Sequence, residues 1–246
     1  MEQTSDVMPP VRAEEISPVS ALWKVLLEPK ATFEALRERA PWILPLVLGL
    51  VLILVFTYTT WPLLMDAQIE RIRMNESIPD AARDAAIARV METRDTPVLW
   101  QVAIGPVFAT IAALIATGIW LGIGNVVLGG NAGFKKIWSM FNYAGMVGVV
   151  SLLLKWVMMT MKGSAEVHTS LALLAHGMNP TGFTFRALDG IDIFSIWFFV
   201  LIGFGLSAMC RVATQKAMTV SFIVWAVWAF GFKAGLGSLI GGFIGM

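Results

Sequence analysis

Long apolar runs alternate with short polar connections along this chain. The runs cover residues 42–65, 98–128, 137–161, 191–210 and 217–244. Each reaches the about 20 residues that a helix needs to cross the hydrocarbon core of a bilayer. An isolated apolar segment satisfies its backbone polar groups there only as a helix, so the pattern predicts an all-α, polytopic bundle of five transmembrane helices. Tryptophans stand where spans meet water: Trp42 and Trp61 bracket the first run, Trp100 opens the second, and Trp138 and Trp156 bracket the third, as suits an indole with one wet and one apolar edge.

The segments outside the runs have patterns of their own. Residues 1–16 mix Glu, Asp, Pro and Gln with few large apolar groups, which predicts a flexible tail. From Ser17, a cap followed by Pro18, the residues Val19, Leu22, Trp23, Leu26 and Leu27 recur at helical spacing. They predict an amphipathic helix lying flat at the membrane interface. Pro29 interrupts it, and a second short helix carrying Phe33, Leu36, Arg37 and Arg39 leads to Pro41. Residues 17–40 are thus an interfacial unit and 41–246 the five-span domain. Two longer connections, about 66–97 and 162–190, fall on one side of the bundle. The first holds an Ala-rich helical stretch, 79–94, behind Ser77 as cap; the second holds the turn Asn179-Pro180-Thr181-Gly182.

The short connections near 129–136 and 211–216 carry Lys135, Lys136, Arg211 and Lys216 and no acidic residue. With Lys24, Lys30, Arg37 and Arg39 they set eight cations on one side. The other side has seven: Arg71, Arg73, Arg83, Arg89, Arg94, Lys162 and Arg186. The bias predicts a cytoplasmic N-terminus and, with five spans, an outer C-terminus. The first run starts only near residue 41, is long and follows an acidic segment, so it reads as a retained span and not a cleaved signal. Composition agrees with the membrane class: 57% hydrophobic residues, 14% charged and a mean hydropathy of +0.73. A net charge of +1 without a basic face argues against nucleic acid, and a single cysteine, Cys210, excludes an internal disulfide and multi-cysteine metal or redox sites.

Few residues carry candidate chemistry. Lys155 and Lys233 lie within apolar runs, where a charge costs about 2.5–3.5 kcal/mol on insertion scales. They define, with Asp66 and Asp192, a candidate intramembrane polar cluster. Snorkelling of Lys155 toward Lys162 is the alternative, as is an N-cap role for Asp192. Gly118 and Gly122, and Gly231, Gly235, Gly237, Gly241 and Gly245 with Gly242 beside them, have small-xxx-small spacings that predict close helix packing; the spacing leaves open whether the partner is internal or another subunit. Gly105-Pro106 suggests a kink in the second span. Gly203-Phe204-Gly205-Leu206-Ser207-Ala208 imitates a dinucleotide fingerprint, but no strand precedes it. His168 and His176 lack a third ligand, and Asn75-Glu76-Ser77 is a short glycosylation sequon. No catalytic set, metal site or cofactor motif stands out, and a non-enzymatic protein without cofactors is expected.

Three segments carry a resemblance. They are Leu128-Gly129-Gly130 leading into Gly133-Phe134-Lys135-Lys136 and Asn142-Tyr143-Ala144; Gly190-Ile191-Asp192-Ile193-Phe194-Ser195-Ile196-Trp197; and Gln215-Lys216-Ala217. With the entry segment Trp23…Pro29-Lys30…Phe33, the chain from Ser17 onward resembles the bacterial branch of the Yip family. The family often has a proline shortly after the Tyr-Ala pair; Met146-Val147 stands there instead. The resemblance implies a five-span protein of the bacterial inner membrane with a cytoplasmic N-terminus. It further implies an accessory or assembly subunit, some relatives being similar to companions of ABC-type exporters. Docking on such a partner would use Trp23, Phe33, Phe134, Lys135 and Lys136. A transporter or lipid-handling protein with a pathway near Lys155, Lys233 and Asp192 is the second expectation, while the oligomeric state is not legible.

Overall fold

The computed structural model describes residues 16–75, 78–167, 169–174 and 182–236. The tail before Ile16, the Ser77 cap, both histidines, most of the turn at 179–182, and Gly237, Gly241 and Gly245 lie outside them, as does part of the sequon. Among the described residues all regular structure is helical apart from one isolated bridge between Ser170 and Asp192.

Two short helices, α1 (Pro18–Leu27) and α2 (Pro29–Leu36), open the chain. Ser17 caps α1 through a bond from the Ser20 amide, and prolines occupy the first turns of both helices, where a missing N–H costs nothing. α3 (Ile43–Thr59) is the first apolar helix, and α4 (Trp61–Met74) leaves it at a bend of 66°. The apolar run predicted one straight span to residue 65. Pro62 prevents this by removing a donor and crowding the carbonyl one turn back. Thr59 and Thr60 reinforce the bend by donating their hydroxyls to Val55 and Phe56 carbonyls. α4 then folds back on α5 (Asp80–Arg94) as a helical hairpin.

α6 (Leu99–Gly122) runs unbroken past Pro106, where the sequence suggested a kink, and extends through a π-helical turn to Val127. α7 (Phe134–Ala144) and α8 (Met146–Lys162) form one long rod with a single turn residue at Gly145, in keeping with the absence of the family's proline there. A short 3₁₀ turn (Leu171–Leu174) and α9 (Phe183–Gly190) precede α10 (Ile193–Cys210). α11 (Thr214–Ala226) continues as π-helix to Leu236. Among the described residues three helical stretches, Leu99–Val127, Phe134–Lys162 and Ile193–Cys210, are long and apolar enough to cross a membrane, and the bent pair α3–α4 adds a fourth if taken as one broken span.

α10 is the hub, packed against α11, α7, α2 and α8. Its glycines make this possible: a Cβ on Gly203 would collide with Met218, and one on Gly205 with Met140, beside Phe33. The fingerprint look-alike at 203–208 is therefore a helix-packing surface. Phe33, Ile137, Met140, Tyr143, Leu201, Ile202 and Leu206 are sealed in this core.

Candidate functional site

The resemblance-bearing motifs turn out to be the joints of the bundle. In the turn between α6 and α7, Asn125 donates its side-chain amide to the Ala132 carbonyl at 2.9 Å and accepts from the Ala132 N–H at 2.8 Å. Gly129 takes φ +71°, a conformation glycine adopts without cost. Gly130 donates to the Gly124 carbonyl and lies so close to Cys210 that no Cβ would fit. Asn142 binds the Trp138 carbonyl, and Tyr143 donates to the Pro18 carbonyl at 3.3 Å, fastening α1 to α7. Gly190 packs on Ala229, Asp192 caps α10 by accepting from the Phe194 amide at 2.7 Å, and Ala217 is fully buried.

One end of the bundle collects charge. The Glu38 carboxylate faces Arg37 Nε at 3.0 Å, Arg211 Nη2 at 3.4 Å and Lys136 Nζ at 3.7 Å. It thereby links the end of α2, the start of α7 and the residue after α10. The hydrogen bond from Arg37, and then the positive charge of Lys136, hold its pKa below the ordinary carboxylate value. Beside this clasp Ser139 donates to the Pro41 carbonyl at 2.7 Å. Glu38 is the residue that sequence reading missed; its one signal was an acid between Arg37 and Arg39 at the close of an amphipathic segment.

The predicted docking residues separate. Phe33 is completely buried against Gly205 and is core, not docking surface. Trp23 remains half-exposed, with Lys24 Nζ over its ring, and shares an outward row with Val19 and Leu27. The inward row of the same helix, Ala21 and Val25, is fully buried. α1 therefore has two apolar faces, and α2 is wedged into the bundle and does not lie flat. Phe134 is exposed and stacked on Trp138, Lys135 is exposed, and Lys136 is engaged by Glu38.

The intramembrane polar cluster is not assembled by the described side chains. Asp66 belongs to the α4–α5 hairpin, where Arg94 grips both its oxygens at 2.6 and 2.8 Å and lowers its pKa. Trp61 donates to the Thr93 carbonyl and closes the same hairpin. Asp192 is the helix cap and accepts from Thr169 Oγ1 at 2.6 Å. Lys155 is half-buried and makes no ion pair among the described residues. Lys233 lies on the π-helical end of α11, and its side chain is outside the description. Gly118 and Gly122 do not pack on any described residue either: none lies within 4 Å of a Cβ built on them, while at Gly231 only Val227 of its own helix does. Gly235 is on the same π-helical segment.

The family model of the Yip1 domain matches residues 23–235. The chain is 26% identical over 207 residues to the membrane protein YknW of Bacillus subtilis (strain 168), covering 83% of this chain and 84% of that one. No solved structure matches.

Proposed function

Since the chain belongs to the Yip1 domain family, we propose that it is a non-enzymatic accessory or assembly subunit of a membrane-protein complex, with an ABC-type exporter as the partner class. In this reading it is a five-span protein of a bacterial inner membrane, with α11 and the residues after it as the fifth span, the N-terminus cytoplasmic and the C-terminus outside. The observation that carries the proposal is the clasped end of the bundle. Glu38 ties three elements together there, Phe134 and Lys135 stand exposed beside it at the start of α7, and Trp23 is exposed on the outer row of α1. Aromatic anchors ringed by cations on preorganised helices are what a docking face needs, because little side-chain freedom is lost on binding. The contact of Arg37, Lys136 and Arg211 around one carboxylate also supports placing the cation-rich connections on a single, cytoplasmic side.

The test is purification of the tagged chain from native membranes in mild detergent, with mass spectrometry of companions. Exporter subunits in fixed ratio, lost on Trp23→Ala with Lys135→Ala, are expected. A chain that emerges alone and homogeneous overturns the accessory reading in favour of an autonomous transporter or lipid-handling protein.

A further inference from the structure

The connection after α8 was expected to stand in water; its position and its surface argue otherwise. Height along the bundle can be read from three contacts. Ser139 touches Pro41, Met140 touches Gly205, and the rings of Phe56 and Trp156 meet edge-on at 6.3 Å. Pro41, Met140 and Gly205 thus lie at one level, and α3 and α8 climb together from it. At 1.5 Å per residue, α3 rises about 28 Å from Pro41 to the bend at Thr60, whereas α10 rises only about 20 Å from Gly205 back to Asp192. Measured along the two helix axes, Asp192 and the segments bonded to it therefore lie at most about 20 Å from the level where α3 begins, about 8 Å less than the path of α3 to its bend.

The side chains at that height suit such a place. Leu171, Leu173, Leu174, Phe183 and Ile193 are between 41% and 78% exposed, while Ser170, Ala172 and Gly190 behind them are buried. The polar groups are satisfied from within: the Leu171 N–H donates to the Ile191 carbonyl, Ser170 Oγ to Asp189, Thr169 Oγ1 to Asp192, and Ser195 Oγ to the Asp192 carbonyl. Irregular backbone is tolerated at membrane depth only when it is turned inward and paired in this way. α9 packs on the π-helical end of α11, and its apolar outer surface continues the exposed flank of α10 at Ile193 and Trp197.

We propose that residues 169–174 and 183–193 form a half-membrane element seated in the leaflet at the α3–α4 bend, with the five apolar side chains docked on lipid acyl chains. Its partner is the bilayer itself, and continuity with the lipid-facing flank of α10 selects that occupant over a soluble protein.

The experiment uses the full chain with Cys210→Ala, reconstituted in phosphatidylcholine–phosphatidylglycerol vesicles. Spin labels are placed one at a time on Leu174→Cys and Phe183→Cys, with Ile115→Cys on α6 as lipid reference and Ala82→Cys on α5 as water reference. Collision with oxygen is expected to exceed collision with a water-soluble nickel chelate several-fold at 174 and 183, as at 115. Rates that favour the nickel chelate, as at 82, overturn the proposal. Leu173→Cys, also an exposed position, provides the same reading where a first variant reconstitutes poorly.

Discussion

α6 and α10 are almost equally apolar, yet in the most apolar stretch of each 11% of the residues are buried in α6 and 50% in α10. In water such a difference would show in composition. In lipid it does not, because an apolar face toward acyl chains and one toward a neighbouring helix are made of the same residues. Close approach distinguishes them: Gly203 and Gly205 of α10 are occupied by Met218 and Met140, while Gly118 and Gly122 of α6 meet no described residue. Equal glycine spacing can therefore mean a hub or a bare flank.

Three substitutions break or sharpen this contrast. Gly205→Leu has the largest expected effect, since the new side chain must displace Met140 and then Phe33. Overpacking of this kind costs about 3 kcal/mol, read as a large drop in the melting temperature of the detergent-solubilised protein. An unchanged melting temperature would remove α10 from the centre of the fold.

Glu38→Gln comes next and probes the tie at the lower end of α10, which α6 lacks. Because Arg37 and Lys136 depress the native pKa, the charged carboxylate stabilises the fold above the ordinary Glu value, and that contribution is lost as pH falls through the lowered native one. The melting temperature of the unsubstituted chain should exceed that of the variant at pH 7 and low salt, and the gap should close below about pH 4. It should also shrink in high salt, since the clasp is exposed. A gap that does not shrink on acidification or in high salt would show that Glu38 acts by something other than charge.

Gly118→Leu should have the smallest effect, within about 0.5 kcal/mol, as for other surface positions. A loss of several degrees in the melting temperature would mean that α6 is covered, by a second chain or by a part of this one outside the described residues.

The membrane class, the helical character of residues 18–36 and 80–94 and, as one of two alternatives, the Asp192 cap were legible, because hydropathy, prolines and capping residues act locally. What escaped the sequence depended on chain segments far apart. Phe33 looked like an interfacial anchor, and only the absence of a side chain at Gly205 makes it core. Asp66 looked like a partner for an intramembrane lysine until the bend at Thr60 carried it to Arg94. Glu38 gained its role only when residues 98 and 173 positions away arrived beside it.

The reversal between α6 and α7 depends on one amide. Asn125 acts as donor and acceptor to the same residue, a part that aspartate, with no N–H, cannot take and that glutamine, one methylene longer, would overshoot. With Gly129 and Gly130, that one side chain sets the direction of the chain at this corner, so three small residues hinge two long helices while the lipid-facing residues around them need only stay apolar.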